Sequence, residues 1–299
     1  KVVGSNPTET ANKMNNNNIK IKETLTLALQ NHKKNNLKVA ENLYKEILNI
    51  KPDHFETTFY LGTLLMQTNN FVKAKELLQK VIEIQPNFVA AHNNLGIVFK
   101  ELDESQKSIS HFQKAIKIKP NFAEAHNNFG TAWQQMQEFQ KAISCFEKAI
   151  QINPNYIAAY NNLGTAYGGL REYKKAVGCY EKVIQINPNF ANTYYNLGVV
   201  FKEMEELQKA ISCYEKAIQI DSNYVKAYNN LAIILGDLNR LHEAKKYLEK
   251  SLNVNPNEKK TNEGYGNLLL KLNQHNKAIE YIRKGTGLIK FTQKDFKII

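Results

Sequence analysis

Cysteine, tryptophan, proline and long apolar runs are all scarce in this chain of 299 residues, which has 3 Cys, 1 Trp and 7 Pro. Three cysteines cannot supply the even, dense set that staples a small secreted domain, so a reducing, cytoplasmic setting is expected. No window approaches ~18 consecutive apolar residues, and no apolar run of ~7 to 15 follows a basic start, so neither a membrane span nor a secretory signal is legible. Proline and glycine are too few for a collagen-like chain, and 42% hydrophobic with 23% charged residues is ordinary for a folded protein. Catalytic signatures are missing as well: there is no His-Glu-x-x-His helix, calcium loop, Walker loop or nucleophile elbow. His32, His54, His111, His242 and His275 share no ligand spacing. The chain is therefore expected not to be an enzyme, and no metal or cofactor is expected.

What is present is a period. Pro52, Pro86, Pro120, Pro154, Pro188 and Pro256 stand on one lattice of 34 residues, with Ser222 on the missing rung. Taking each rung as place 32 of a unit defines eight units over 21–292: 21–54, 55–88, 89–122, 123–156, 157–190, 191–224, 225–258 and 259–292, the first and last degenerate. Place 4 (His92, His126, Tyr160, Tyr194, Tyr228), place 7 (Leu61, Leu95, Phe129, Leu163, Leu197, Leu231), place 8 (Gly62, Gly96, Gly130, Gly164, Gly198, Ala232) and place 11 (Leu65, Phe99, Trp133, Tyr167, Phe201, Leu235) make the stripe of one amphipathic helix. Places 20, 24 and 27, as in Ala142, Phe146 and Ala149, make a second. A small residue at place 8 opposite Ala at place 20 lets the two helices approach closely, with rings at 11 and 24 beside them. The rung proline ends the second helix, and the Asn after it (Asn87, Asn121, Asn155, Asn189, Asn223, Asn257) is suited to capping or turning into the next unit.

Leu-Gly at 7 and 8, an aromatic at 11, Ala at 20, an aromatic at 24, Ala at 27 and Pro at 32 resemble the tetratricopeptide repeat over about nine tenths of the chain. The resemblance implies an all-α fold, a right-handed superhelix (α-solenoid) of about eight helix-turn-helix repeats. It also implies a concave groove lined by places 2, 5, 6, 9, 12 and 13 of each first helix. Place 6 reads Asn94, Asn128, Asn162, Asn196 and Asn230, and place 5 reads Asn93, Asn127, Asn161, Tyr195 and Asn229. A carboxamide carries the donor and acceptor of a peptide unit, so such a row can hold an extended backbone without reading its side chains. It can equally tie adjacent helices together, and the sequence leaves both uses open.

The blocks AHNNLG from Ala91, AHNNFG from Ala125, AYNNLG from Ala159 and KAIQINPN from Lys148 also resemble the repeats of the O-linked N-acetylglucosamine transferases. That resemblance implies that the place 6 asparagines hold a substrate backbone. Two functional readings follow: a non-catalytic protein-interaction scaffold for a protein or extended peptide, or the substrate-recruiting region of a larger glycosyltransferase whose catalytic part lies outside this chain. The Lys and Asn pattern of repeats that clamp chaperone C-terminal tails is not met in three successive units, so such tails are not expected as ligands.

The net charge of +12 sits at the ends: +4 over 1–54 and +6 over 259–299, against +2 between them. A nucleic-acid partner along the groove is therefore not expected, nor a membrane. Cys145, Cys179 and Cys213 all occupy place 23, and His92 and His126 alternate with Tyr, so both sets are expected to pack. Gly168-Gly169 is expected to loosen or shorten its helix, and Gly285 to stop the last one. Residues 1–20 are polar and expected to be disordered, with Met14 read as the natural start because Val2 to Thr8 looks like translated transfer-RNA gene sequence. The tail 293–299 is apolar and β-prone, expected to pack on the last helices or to begin a further domain.

Overall fold

A computed structural model describes the backbone over 7–286, 289–291 and 296–298, and side chains over 17–286. The chain forms two compact units, Lys1–Pro154 and Asn155–Ile299. The first contains α1 (Pro7–Lys33), α2 (Leu37–Ile50), α3 (Phe55–Gln67), α4 (Phe71–Ile84), α5 (Val89–Glu101), α6 (Ser105–Ile118), α7 (Ala123–Gln135) and α8 (Phe139–Ile152). The second contains α9 (Ile157–Gly169), α10 (Tyr173–Ile186), α11 (Ala191–Glu203), α12 (Leu207–Ile220), α13 (Val225–Asp237), α14 (Leu241–Val254), α15 (Lys259–Lys271) and α16 (His275–Thr286). A short antiparallel hairpin follows, β1 (Ile289–Phe291) on β2 (Phe296–Ile298), with Lys290 opposite Lys297. Within each unit consecutive helices pair, odd with even, and each pair packs on the next.

The pair is held where places 8 and 24 meet. A Cβ built on Gly96 would stand 2.5 Å from the Phe112 ring, on Gly130 2.5 Å from Phe146, and on Gly164 and Gly198 2.7 Å from Tyr180 and Tyr214. The ring at place 24 therefore lies over the glycine itself and not beside an Ala-to-glycine contact, as the spacing alone suggests. Phe112, Phe146 and Tyr214 have no exposed surface. Places 3 and 10 are buried too, as in Ala91, Ala125, Ala159 and Ala227 and in Leu64, Val98 and Ala166. The odd helices thus have a second apolar side, one that serves the stacking of repeats and that the single stripe did not show.

Each pair turns through one residue in the left-handed region: Asn35, Asn69, Asp103, Gln137, Arg171, Glu205, Asn239 and Asn273, with φ from 57 to 62°. After α9, Arg171 N–H donates to Gly168 O at 3.0 Å and Glu172 N–H to Tyr167 O at 2.9 Å, which closes the helix end with two of its orphan carbonyls satisfied. Gly168-Gly169 stays helical, and α9 has the same 13 residues as its counterparts α7 and α11. The shortening expected there does not occur, because the chain reverses at Arg171. A side chain beyond Asn or Asp in this conformation costs roughly 1 kcal/mol. Arg171→Gly is expected to raise the unfolding free energy by up to ~1 kcal/mol, less what glycine adds to the entropy of the unfolded chain. Asn239→Gly should gain less, since Asn tolerates the left-handed region; chemical denaturation of both variants measures the difference.

Two further local expectations change. The helix α1 begins at Pro7, inside the stretch read as disordered; once residues 21–33 are packed, adding helical turns in front of them carries no new nucleation cost. The Asn after the rung proline is not the N-cap, which falls one residue later in α5, α7, α9, α11, α13 and α15, on Phe88, Phe122, Tyr156, Phe190, Tyr224 and Glu258. The turn is made one place before the rung, where Asn187, Asp221 and Asn255 accept from the N–H of Asn189, Asn223 and Asn257. At place 26, Lys148, Lys182 and Lys216 donate to Gln151, Gln185 and Gln219.

Place 19 carries a repeated ion pair. Lys107, Lys141, Lys175 and Lys209 pair with Glu104, Glu138, Glu172 and Glu206 three residues earlier. Each ammonium also lies over the ring at place 11, 4.4 Å from Trp133 and 5.2 Å from Tyr167 at the closest two. An exposed pair stabilises by ~0 to 1 kcal/mol and a cation over a ring by a similar amount, so these contacts trim the helix junctions and the rings hold them.

Candidate groove site

The asparagine pairs sit on the odd helices, and consecutive residues on a helix point about 100° apart. Places 5 and 6 therefore have different surroundings. At place 5, Asn93, Asn127 and Asn161 are buried, 2, 6 and 6% exposed, while Tyr195 and Asn229 are half-buried. Asn93 Nδ2 donates to Glu124 at 3.0 Å, Asn161 Oδ1 accepts from Thr193 at 2.9 Å, and Asn229 Oδ1 accepts from Ser251 at 3.0 Å and Thr261 at 3.1 Å. Every one of these partners except Ser251 belongs to the first helix of the next repeat. These amides brace one repeat against its successor; the partners that fix them are an acceptor at place 2, Glu124, and hydroxyl donors at place 3, Thr193 and Thr261, and place 3 was not among the groove positions implied by the sequence pattern.

Place 6 looks back. Asn94 Nδ2 donates to Thr63 at 3.1 Å, Asn128 Nδ2 to Asn93 Oδ1 at 3.2 Å, and Asn230 Nδ2 to the hydroxyls of Tyr195 at 3.4 Å and Tyr214 at 3.3 Å. Asn94 is buried, and Asn128, Asn162, Asn196 and Asn230 are half-buried. In Asn94, Asn128 and Asn230 the preceding repeat thus orients the carboxamide through its N–H, while no bond to the oxygen is found among the described residues. Burial raises the Tyr214 hydroxyl well above its ordinary value, against the pull of Asn230, and pushes Tyr180 up to about 12. Both hydroxyls remain protonated at neutral pH as fixed hydrogen-bonding groups.

In the second unit, α11, α13 and α15 enclose a cavity of about 880 Å³. Tyr195, Asn229 and Asn230 line it together with Ile233, Gly264 and Asn267. At place 6 of the last repeat the asparagine row gives way to Gly264.

The histidines and cysteines have other work. Place 4 is a donor position: His92 and His126 Nε2 each lie 2.9 Å from the carbonyl of Pro86 and Pro120, Tyr228 donates to Ser222 O and Asn262 to Pro256 O. His, Tyr and Asn interchange there because each can reach the rung carbonyl six residues back. His92 Nδ1 also lies 3.0 Å from His111 Nδ1. Burial, then His92 and Lys114, lower His111 to about 4, so it is neutral at physiological pH. Cys145, Cys179 and Cys213 are half-buried thiols, and burial pushes Cys145 and Cys213 up to about 11, which makes those two poor nucleophiles. Among the described residues no group of three or more His, Cys, Asp or Glu could hold a metal ion, and no helix is long and apolar enough to cross a membrane.

Models described as tetratricopeptide repeat match residues 32–95, then 89–122, 123–156, 157–190 and 191–224, then 225–258 and 261–291. No curated protein matches the chain. Among solved structures, the crystal structure of MamA is similar over 56% of this chain and 97% of its own, at 28% identity and a TM-score of 0.50. The crystal structure of YrrB, described as a TPR protein with an unusual peptide-binding site, is similar over 62% of this chain and 95% of its own, at 20% identity and a TM-score of 0.48.

Proposed function

Since this chain belongs to the tetratricopeptide repeat family, an all-α repeat fold that serves as a protein-interaction scaffold, we propose that it holds an extended peptide along its odd helices through the place 6 asparagines. The observation that carries this reading is the one-sided use of those amides. In Asn94, Asn128 and Asn230 the N–H is engaged with the preceding repeat, and the oxygen is left as an oriented acceptor. Peptide N–H groups are the complementary donors. Stacked helices advance by ~8 to 10 Å and an extended chain rises ~3.3 Å per residue, so one acceptor meets about every third peptide residue. In the second unit Asn162 and Asn196 hold the same place ahead of Asn230, and Asn93 and Asn127 in the first unit and Asn161, Asn229 and Tyr195 in the second act as the braces that aim the place 6 amides.

The test is a double substitution away from the cavity, Asn94→Ala with Asn128→Ala. Peptides selected from a random phage-displayed library against the wild type should bind this variant about tenfold or more weakly, two hydrogen bonds at ~0.5 to 1.5 kcal/mol each. Its thermal midpoint should move little. Unchanged affinity, or a large loss of stability, would leave the asparagines as helix braces only.

A second reading rests on the AHNNLG, AHNNFG and AYNNLG blocks, which resemble the repeats of O-linked N-acetylglucosamine transferases. On that reading the same acceptor row recruits substrate for a glycosyltransferase. Sugar transfer to the selected peptides by material co-purifying with the chain tests it.

A further inference from the structure

The cavity between α11, α13 and α15 holds two glycines that the fold does not require. At place 8 a helical glycine is forced by a neighbour, as Gly130 is by Phe146 at 2.5 Å, whereas Gly168 and Gly178, like the two cavity glycines, have none. A Cβ on Gly236 would meet nothing within 4 Å, and one on Gly264 only Leu248 Cδ2 at 3.9 Å. Both line the cavity, and neither has a positive φ. Each forgoes up to ~1 kcal/mol of helix stability relative to alanine, which leaves bare backbone facing open space.

The lining also includes Ile233, 49% exposed, and the buried Ala232, Leu248 and Leu268. An aliphatic side chain held half in water gains from any apolar group that covers it. The wall carries Lys226, Lys260 and Lys271 against Asp237, Glu258 and Glu263, so its formal charges cancel although the chain as a whole carries +12. A site without net charge selects neither an acidic nor a basic occupant. The volume of about 880 Å³ is in the ordinary range for a ligand-binding cavity, roughly 300 to 1,000 Å³.

We propose that this cavity is a specificity pocket for one bulky, uncharged apolar side chain of an extended peptide, the glycines admitting the peptide against the helix backbone where the asparagine row ends. The proposal rests on the peptide-binding reading above: the place 6 amides hold backbone without distinguishing sequences, and the pocket supplies the discrimination. Leucine at position 264 or 236 would fill the space while improving helix propensity, so Gly264→Leu and Gly236→Leu block the pocket without disturbing a packed neighbour.

The experiment uses the full chain and peptides selected from a random phage-displayed library, synthesised and titrated by calorimetry. The selected peptides should share one bulky apolar position. Replacing that residue by serine should weaken binding about tenfold or more, and Gly264→Leu or Gly236→Leu should do the same. Both glycine variants should melt no lower than the wild type. Selected peptides without a common apolar position, or with unchanged affinity for both glycine variants, overturn the pocket; if the same peptides still lose affinity for the Asn94→Ala and Asn128→Ala variant, the peptide-binding reading stands without it. Selection of no peptide at all overturns both. Self-association of the wild type in sedimentation, abolished by Gly264→Leu, would make the occupant a second copy and also overturn the proposal.

Discussion

Phe146→Ala is expected to lower the unfolding free energy by about 3 to 5 kcal/mol, the largest effect of any substitution considered. The ring has no exposed surface and covers Gly130, so its removal opens a void between α7 and α8 that two rigid helices cannot collapse to fill. A globular core could spread that loss over many neighbours. Here each repeat touches only its own pair and the adjoining ones, so the loss concentrates locally. Urea denaturation measures the size of the effect. Amide exchange measures its place: protection should fall in 123–152 well before it falls in 21–50. An even loss of protection across the first unit would mean that the repeats unfold as one body.

Gly130→Ala probes the same contact from the other side. The added methyl would stand 2.5 Å from Phe146 Cε1 and 2.7 Å from Cδ1, closer than carbon atoms approach, and the ring is hemmed in. Overpacking of this kind costs about 1 to 3 kcal/mol, only partly offset by up to ~1 kcal/mol from exchanging glycine for alanine in a helix. The chain contains its own remedy. In the seventh repeat the corresponding residues are Ala232 and Leu248, both buried, so an alanine is accommodated where the ring is replaced by a leucine. Adding Phe146→Leu to Gly130→Ala should therefore cost less than the two single losses together, with a coupling of about 1 kcal/mol or more in a double-mutant cycle. Strict additivity would show that the helices move apart and that the ring does not hold them.

The amides teach the opposite lesson. Asn93 and Asn94 are neighbours of one residue type, and the repeat pattern puts both in the groove. The structure buries both, ties Asn93 to Glu124 and leaves the Asn94 oxygen without a partner among the described residues. What separates them is the following repeat, whose Glu124, Thr193 or Thr261 reaches only the place 5 amide. Those partners lie 31 or 32 residues along the chain, and nothing local marks them.

The sequence by itself determined the period, the two helices of each repeat, the glycine at place 8 and the proline that ends the second helix. These follow from sterics and apolar spacing within about thirty residues, and steric rules act on neighbours wherever the chain goes. The tertiary structure alone decided which asparagines are braces, which lysines pair, where the turn residues take a positive φ, and that Gly236 and Gly264 face open space. Hydrogen bonds and cavities depend on what the next repeat places opposite a side chain, and that becomes fixed only once the helices have stacked.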